Sequence, residues 1–124
     1  MYMKTAFNII LLTSLSLGAL AQTKIDINPS GSGSHPRYFG TFNGELFFLA
    51  NDGTHGQELW KYDGSSAALV QDIHPTFHAN PEYLTAAGSK LYFQATDGTN
   101  GRELWQYDGT TATIVDINPG ASES

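Results

Sequence analysis

From residue 36 onward, apolar and polar side chains alternate with a period of two, in short runs cut by glycine-bearing turns. That is the pattern of β-strands. In Lys90 to Thr96, Leu91, Phe93 and Ala95 fall on one face while Tyr92 and Gln94 fall on the other. The spacing predicts four strands here: Tyr83 to Ala87, Lys90 to Thr96, Arg102 to Tyr107 and Thr111 to Ile117. Gly88-Ser89, Asp97 to Gly101 and Asp108-Gly109 are the predicted turns, with glycines to take the positive φ that tight hairpins need. Asn118-Pro119-Gly120 then breaks the ladder.

The same run occurs earlier in the chain. Pro36 to Val70 lies over Pro81 to Val115 without a gap, at a period of about 45 residues, which suits four-stranded blade repeats. Asp52-Gly53-Thr54-His55-Gly56-Gln57-Glu58-Leu59-Trp60-Lys61-Tyr62-Asp63-Gly64 returns as Asp97-Gly98-Thr99-Asn100-Gly101-Arg102-Glu103-Leu104-Trp105-Gln106-Tyr107-Asp108-Gly109. A second marker comes as Asp26-Ile27-Asn28-Pro29, Asp72-Ile73-His74-Pro75 and Asp116-Ile117-Asn118-Pro119. The expected organisation is a leader and start of the first repeat over 22–35, repeats over 36–75 and 76–119, and the opening of a third over 120–124. Two units and the first step of another predict a piece of a longer array.

Trp60 and Tyr62 share a face and Leu59 takes the other, while Leu46, Phe48 and Ala50 alternate with Phe47 and Leu49. Both faces of such a sheet carry large apolar groups, and burying each is worth about 1.5–3 kcal/mol. Face-to-face packing on the next unit is the expected solution. The fold class is therefore all-β: two four-stranded antiparallel, propeller-like blades.

The N-terminus reads differently. Lys4, the apolar stretch Ile9 to Leu17 and the small residues of Ala19-Leu20-Ala21 make a helical signal peptide over 1–21. The expected location is outside the cytoplasm: secreted, periplasmic or at the cell surface. With no cysteine, neither disulfides nor a lipidated cysteine is available. The net charge of −6 and the lack of a basic stripe make nucleic acid a poor partner, and no second apolar run predicts membrane insertion after cleavage.

Glu58 to Ser65 and Glu103 to Thr110 resemble the ELWxxDGT repeat of exported bacterial proteins, and Asp116 to Gly120 is similar to the segment that follows it there. The motif residues are Glu58, Leu59, Trp60, Asp63 and Gly64, with Glu103, Leu104, Trp105, Asp108 and Gly109. The resemblance implies a secreted or surface-associated β-propeller-like protein. This chain departs from it in Ser65-Ser66 for the usual Thr, in an extra residue before Asp72, in having few repeats, and in lacking a sorting domain.

Site chemistry is sparse. Asp52, Thr54, Asp97 and Thr99 can offer oxygens to Ca²⁺, against the plainer role of Asp capping its own turn. Glu58 and Glu103 are one residue in successive repeats, which argues for a repeated structural role over a glycosidase pair. His35, His55, His74 and His78 lack metal-site spacing. Trp60, Trp105, Tyr62 and Tyr107 read as core between blades, with sugar stacking as the alternative. The expected function is a non-enzymatic scaffold or adhesion module whose partners are further repeats, another copy of itself, glycans or surface proteins. The alternative is a carbohydrate- or Ca²⁺-binding module using blade loops.

Overall fold

The computed structural model describes residues 22–117 and 119; the expected signal peptide and the start of a third repeat lie outside them. Eight strands follow in order: β1 (Arg37–Phe42), β2 (Glu45–Asn51), β3 (Gln57–Tyr62), β4 (Ala67–Gln71), β5 (Glu82–Ala87), β6 (Lys90–Thr96), β7 (Arg102–Tyr107) and β8 (Ala112–Val115). They form two four-stranded antiparallel sheets with the strands in chain order, and no helix occurs among the described residues. No described helix is long and apolar enough to cross a membrane.

Local chemistry sets the hairpins. Asn43 and Gly44 have φ of 51° and 75° and link Phe42 to its partner Glu45, the primed turn that matches strand twist. The sheets share a bulge in their first strands, where Tyr38 and Tyr83 sit at φ of 56° and 58°. The period-two pattern hid this irregularity, and β8 ends two residues earlier than its pattern predicts. A second bulge belongs to the first sheet alone. Leu59 pairs with Gln71 and Trp60 with Leu69, leaving Val70 as the extra residue. In the other sheet, Leu104 pairs with Val115 and Trp105 with Ile114 in register.

The sheets pack against each other. Phe42, Phe47 and Leu59 of the first meet Leu91, Phe93, Ala95, Trp105, Tyr107 and Ala112 of the second, with Ile73 and Ala79 of the intervening linker sealed into the same core. The Tyr107 ring lies 5.6 Å from Phe47 and 6.2 Å from Phe42. β1 approaches β5 so closely that a Cβ on Gly40 would come within 2.9 Å of the Leu84 Cβ.

Trp60 does not share that core. It stacks with Phe48 and Ala50 on the opposite face of the first sheet, where Ile27 of the leader, with Leu46, Tyr62, Ala67 and Leu69, packs on it. The sequence predicts an open apolar face at both ends of a two-sheet stack; the leader covers part of one. It can do so because it repeats the Asp-Ile-x-Pro linker, so Ile27 docks on the Trp60 face as Ile73 docks on the Trp105 face.

Candidate functional site

The most elaborate polar arrangement lies where the chain passes from one sheet to the next. Glu58 is fully buried. Its Oε2 accepts the Ile73 N–H at 2.9 Å and its Oε1 accepts the Ala79 N–H at 3.1 Å, so one carboxylate holds both ends of the linker. The Gln57 carbonyl accepts the N–H groups of Ala79 and Asn80, and the Gln57 N–H donates to His78 Nδ1. Burial pushes the Glu58 carboxyl up to about 7, against the lowering pull of the Ile73 and Ala79 amides.

Gln71 adds a second clasp. Its Nε2 donates to the Ala112 carbonyl at 3.2 Å and its Oε1 accepts the Ala112 N–H at 3.1 Å. The Val70 bulge puts Gln71 opposite Leu59, and Val70 itself packs against the inter-sheet core.

Leader and linker make matching contacts. The Asn51 N–H donates to Ser34 O at 2.9 Å, and the Thr96 N–H donates to Ala79 O at 3.0 Å. Asn28 lies over Gly53 as His74 lies over Gly98: a Cβ on either glycine would come within 3.0 Å of that side chain, and both glycines have positive φ. These glycines therefore serve close approach as well as turn geometry.

The aspartates of the glycine turns are bound within their own loops. Asp52 Oδ1 accepts the N–H groups of Thr54 and His55, and its Oδ2 meets His55 Nδ1 at 2.6 Å. Asp97 treats Thr99 and Asn100 in the same way, with Asn100 Nδ2 replacing the imidazole at 2.7 Å. Burial raises both carboxyls, but these hydrogen bonds outweigh it and leave them below the usual range. His55 is shifted up, chiefly by its bond to Asp52. Asp63 and Asp108 cap the later turns through the N–H groups of Ser65, Ser66, Thr110 and Thr111. Among the described residues, no group of three or more His, Asp or Glu side chains gathers around a possible cation position.

Trp60 and Trp105 are buried, at 8 % and 6 % exposure, so neither offers a ring face to a sugar. Among the described residues, the exposed Phe and Tyr rings are Tyr38, Phe39, Phe77 and Tyr83. Phe77 stacks on His78 beside a polar cleft of about 270 Å³ bordered by Asn51, Thr54, His55 and Thr76. Leu59 lies in the inter-sheet core, while Leu104, its counterpart, is half-buried on the outer face of the second sheet. Gly64 and Gly109 take positive φ in the β3–β4 and β7–β8 turns. The clamp roles of Ile73, Ala79 and Gln71 escaped the sequence reading, which took Ile73 only as part of the repeated Asp-Ile-x-Pro marker. Besides that marker, their signals are a glutamate kept in both copies of an apolar strand and the extra residue before Asp72.

No family model matches the chain, and neither a curated protein nor a solved structure is found to be similar to it.

Proposed function

We propose that the protein is a non-enzymatic β-repeat scaffold or adhesion module of the cell envelope or exterior, built from propeller-like units of the ELWxxDGT kind. The observation that carries this reading is the recurrence of one contact set: Asn28 on Gly53 with Ser34 on Asn51, then His74 on Gly98 with Ala79 on Thr96. A linker and the sheet that follows it behave as a unit that stacks on the unit before it, which is how repeat arrays build length. Glu58 serves this stacking by holding the linker amides, while Asp52, Asp97, Asp63 and Asp108 cap their own turns, so among the described residues no nucleophile and base stand together.

A carbohydrate-binding module is the second reading. It is favoured by Phe77, an exposed ring at the rim of a polar loop cleft. Labelling of fractionated cells, a glycan array and a melt with and without EGTA separate the readings. The scaffold reading expects protein outside the cytoplasm, no glycan signal and an unchanged melt. Glycan binding lost on Phe77→Ala supports the second reading, and cytoplasmic retention contradicts both.

A further inference from the structure

The linker between the sheets uses two imidazoles as hydrogen-bond acceptors. His78 Nδ1 receives the Gln57 N–H at 2.9 Å, and His74 Nδ1 receives the Phe77 N–H at 3.1 Å. A ring nitrogen accepts only while it carries no proton, so both bonds require neutral histidine. The leader, built on the same marker, does this work without a titratable group. Asn28, at the place of His74, accepts the Ser30 N–H through Oδ1. At the place of His78, one residue before Ser34, the leader carries Gly33.

The tip of the linker, residues 75–78, is seated on the first sheet at Gly56 and Gln57. A Cβ on Gly56 would overlap the Phe77 carbonyl and come within 2.6 Å of His78 Nδ1. Phe77 is 66 % exposed, and its ring stacks on that of His78 at 4.3 Å, so the two move together. The ends of the tip are held separately. Glu58 binds the Ile73 and Ala79 amides, and the Gln57 carbonyl takes those of Ala79 and Asn80. A change at His78 can therefore free the tip without freeing the linker.

We propose that residues 75–78 form an acid-released flap: neutral His78 latches it to Gln57, and protonation at Nδ1 sets N–H against N–H and lets it rise. His55 stands across the cleft from His78, and its bond to Asp52 makes it readier to carry a proton in the same range. Asp52 is engaged with His55 and its own turn, and Glu58 with the linker amides. Asp72 acts on both His55 and Glu58. On the side of the second sheet, His74 lies over Gly98, whose neighbour Asp97 is bound within its own turn. Among the described residues no carboxylate pairs with His74 or His78 to retain a charged ring. Lifting the flap widens the polar cleft beside Asn51, Thr54 and His55 and leaves the sheets stacked, so the proposal does not depend on the scaffold reading.

Amide hydrogen exchange between about pH 8 and 5 tests this, each rate being divided by the intrinsic rate at that pH. Protection of the Gln57 N–H should fall by about tenfold or more toward the acid end, while that of Ile73 and Ala79 holds. His78→Asn offers an oxygen where Nδ1 stands and does not titrate in this range, the same exchange that relates His74 to Asn28. Gln57 in that variant should keep its protection throughout. Constant protection of Gln57 in the native protein overturns the proposal. A loss shared by Ile73 and Ala79 overturns it too, because the whole linker has then opened. So does a His78→Asn variant that loses protection in acid as the native protein does; should that variant fold poorly, the native exchange profile decides alone.

Discussion

Gln71 and Ala112 exchange two hydrogen bonds across the junction between the sheets, a side-chain amide reading a backbone N–H and C=O as a neighbouring strand would. The clasp exists because Val70 bulges out of β4, and the second sheet has neither the bulge nor the glutamine, carrying Val115 in its place. Stacking is thus locked by the Glu58 clamp, whose glutamate recurs as Glu103 without the same partners, and by a glutamine that has no counterpart in the second sheet.

Replacing Gln71 with Val copies the second sheet at that point. It leaves the N–H and carbonyl of the buried Ala112 without their partner. The expected cost is about 1–3 kcal/mol, read as a lowered urea midpoint with an unchanged slope. An unchanged midpoint would show that the clasp adds nothing.

Glu58 makes stability fall as pH rises. Its folded carboxyl is pushed up to about 7 from an ordinary 4.5, so the folded state binds the proton more tightly than the unfolded state. The contribution is whole below pH 4.5 and is lost between there and about 7. Over that window it amounts to at most about 3 kcal/mol. Melts across the window should decline in the native protein. Glu58→Gln should remove this slope while lowering stability at its acid end, since an amide offers one acceptor where two N–H groups arrive.

His55 adds to that decline at higher pH. Its pairing with Asp52 lifts its pKa above 6.5, so its contribution is present below 6.5 and is lost as pH climbs through the raised folded value. His55→Asn imports the residue found at Asn100, whose amide already bonds the matching Asp97. The variant should fold as the native protein does and lose the part of the slope above 6.5. Titrating the His55 ring by NMR supplies the direct check: a midpoint at or below 6.5 would contradict the pairing.

Strand positions, both glycine turns and the four-strand unit were legible because period-two alternation and turn residues are local properties. β6 and β7 were marked to the residue. What alternation conveys is that Trp60 and Leu59 face opposite ways; it does not say what covers each face. Trp60 therefore read as core between sheets, while in the structure it packs under Ile27 of the leader. The clamp was hidden for a related reason. The recurrence of Glu58 as Glu103 argued for a structural role, but the partners of Glu58 are backbone amides that carry no sequence signature. The bulges at Tyr38 and Tyr83 were invisible because an aromatic residue at positive φ runs against every local preference.

The account turns on the linker being held to the first sheet by a buried carboxylate. Amide hydrogen exchange at Ile73 and Ala79 tests this most directly. Both N–H groups should exchange as slowly as the central amides of β6 and β7, opening only when the whole stack unfolds, and both should quicken in Glu58→Gln. Exchange at the rate of a free loop, alike in both proteins, would contradict the account.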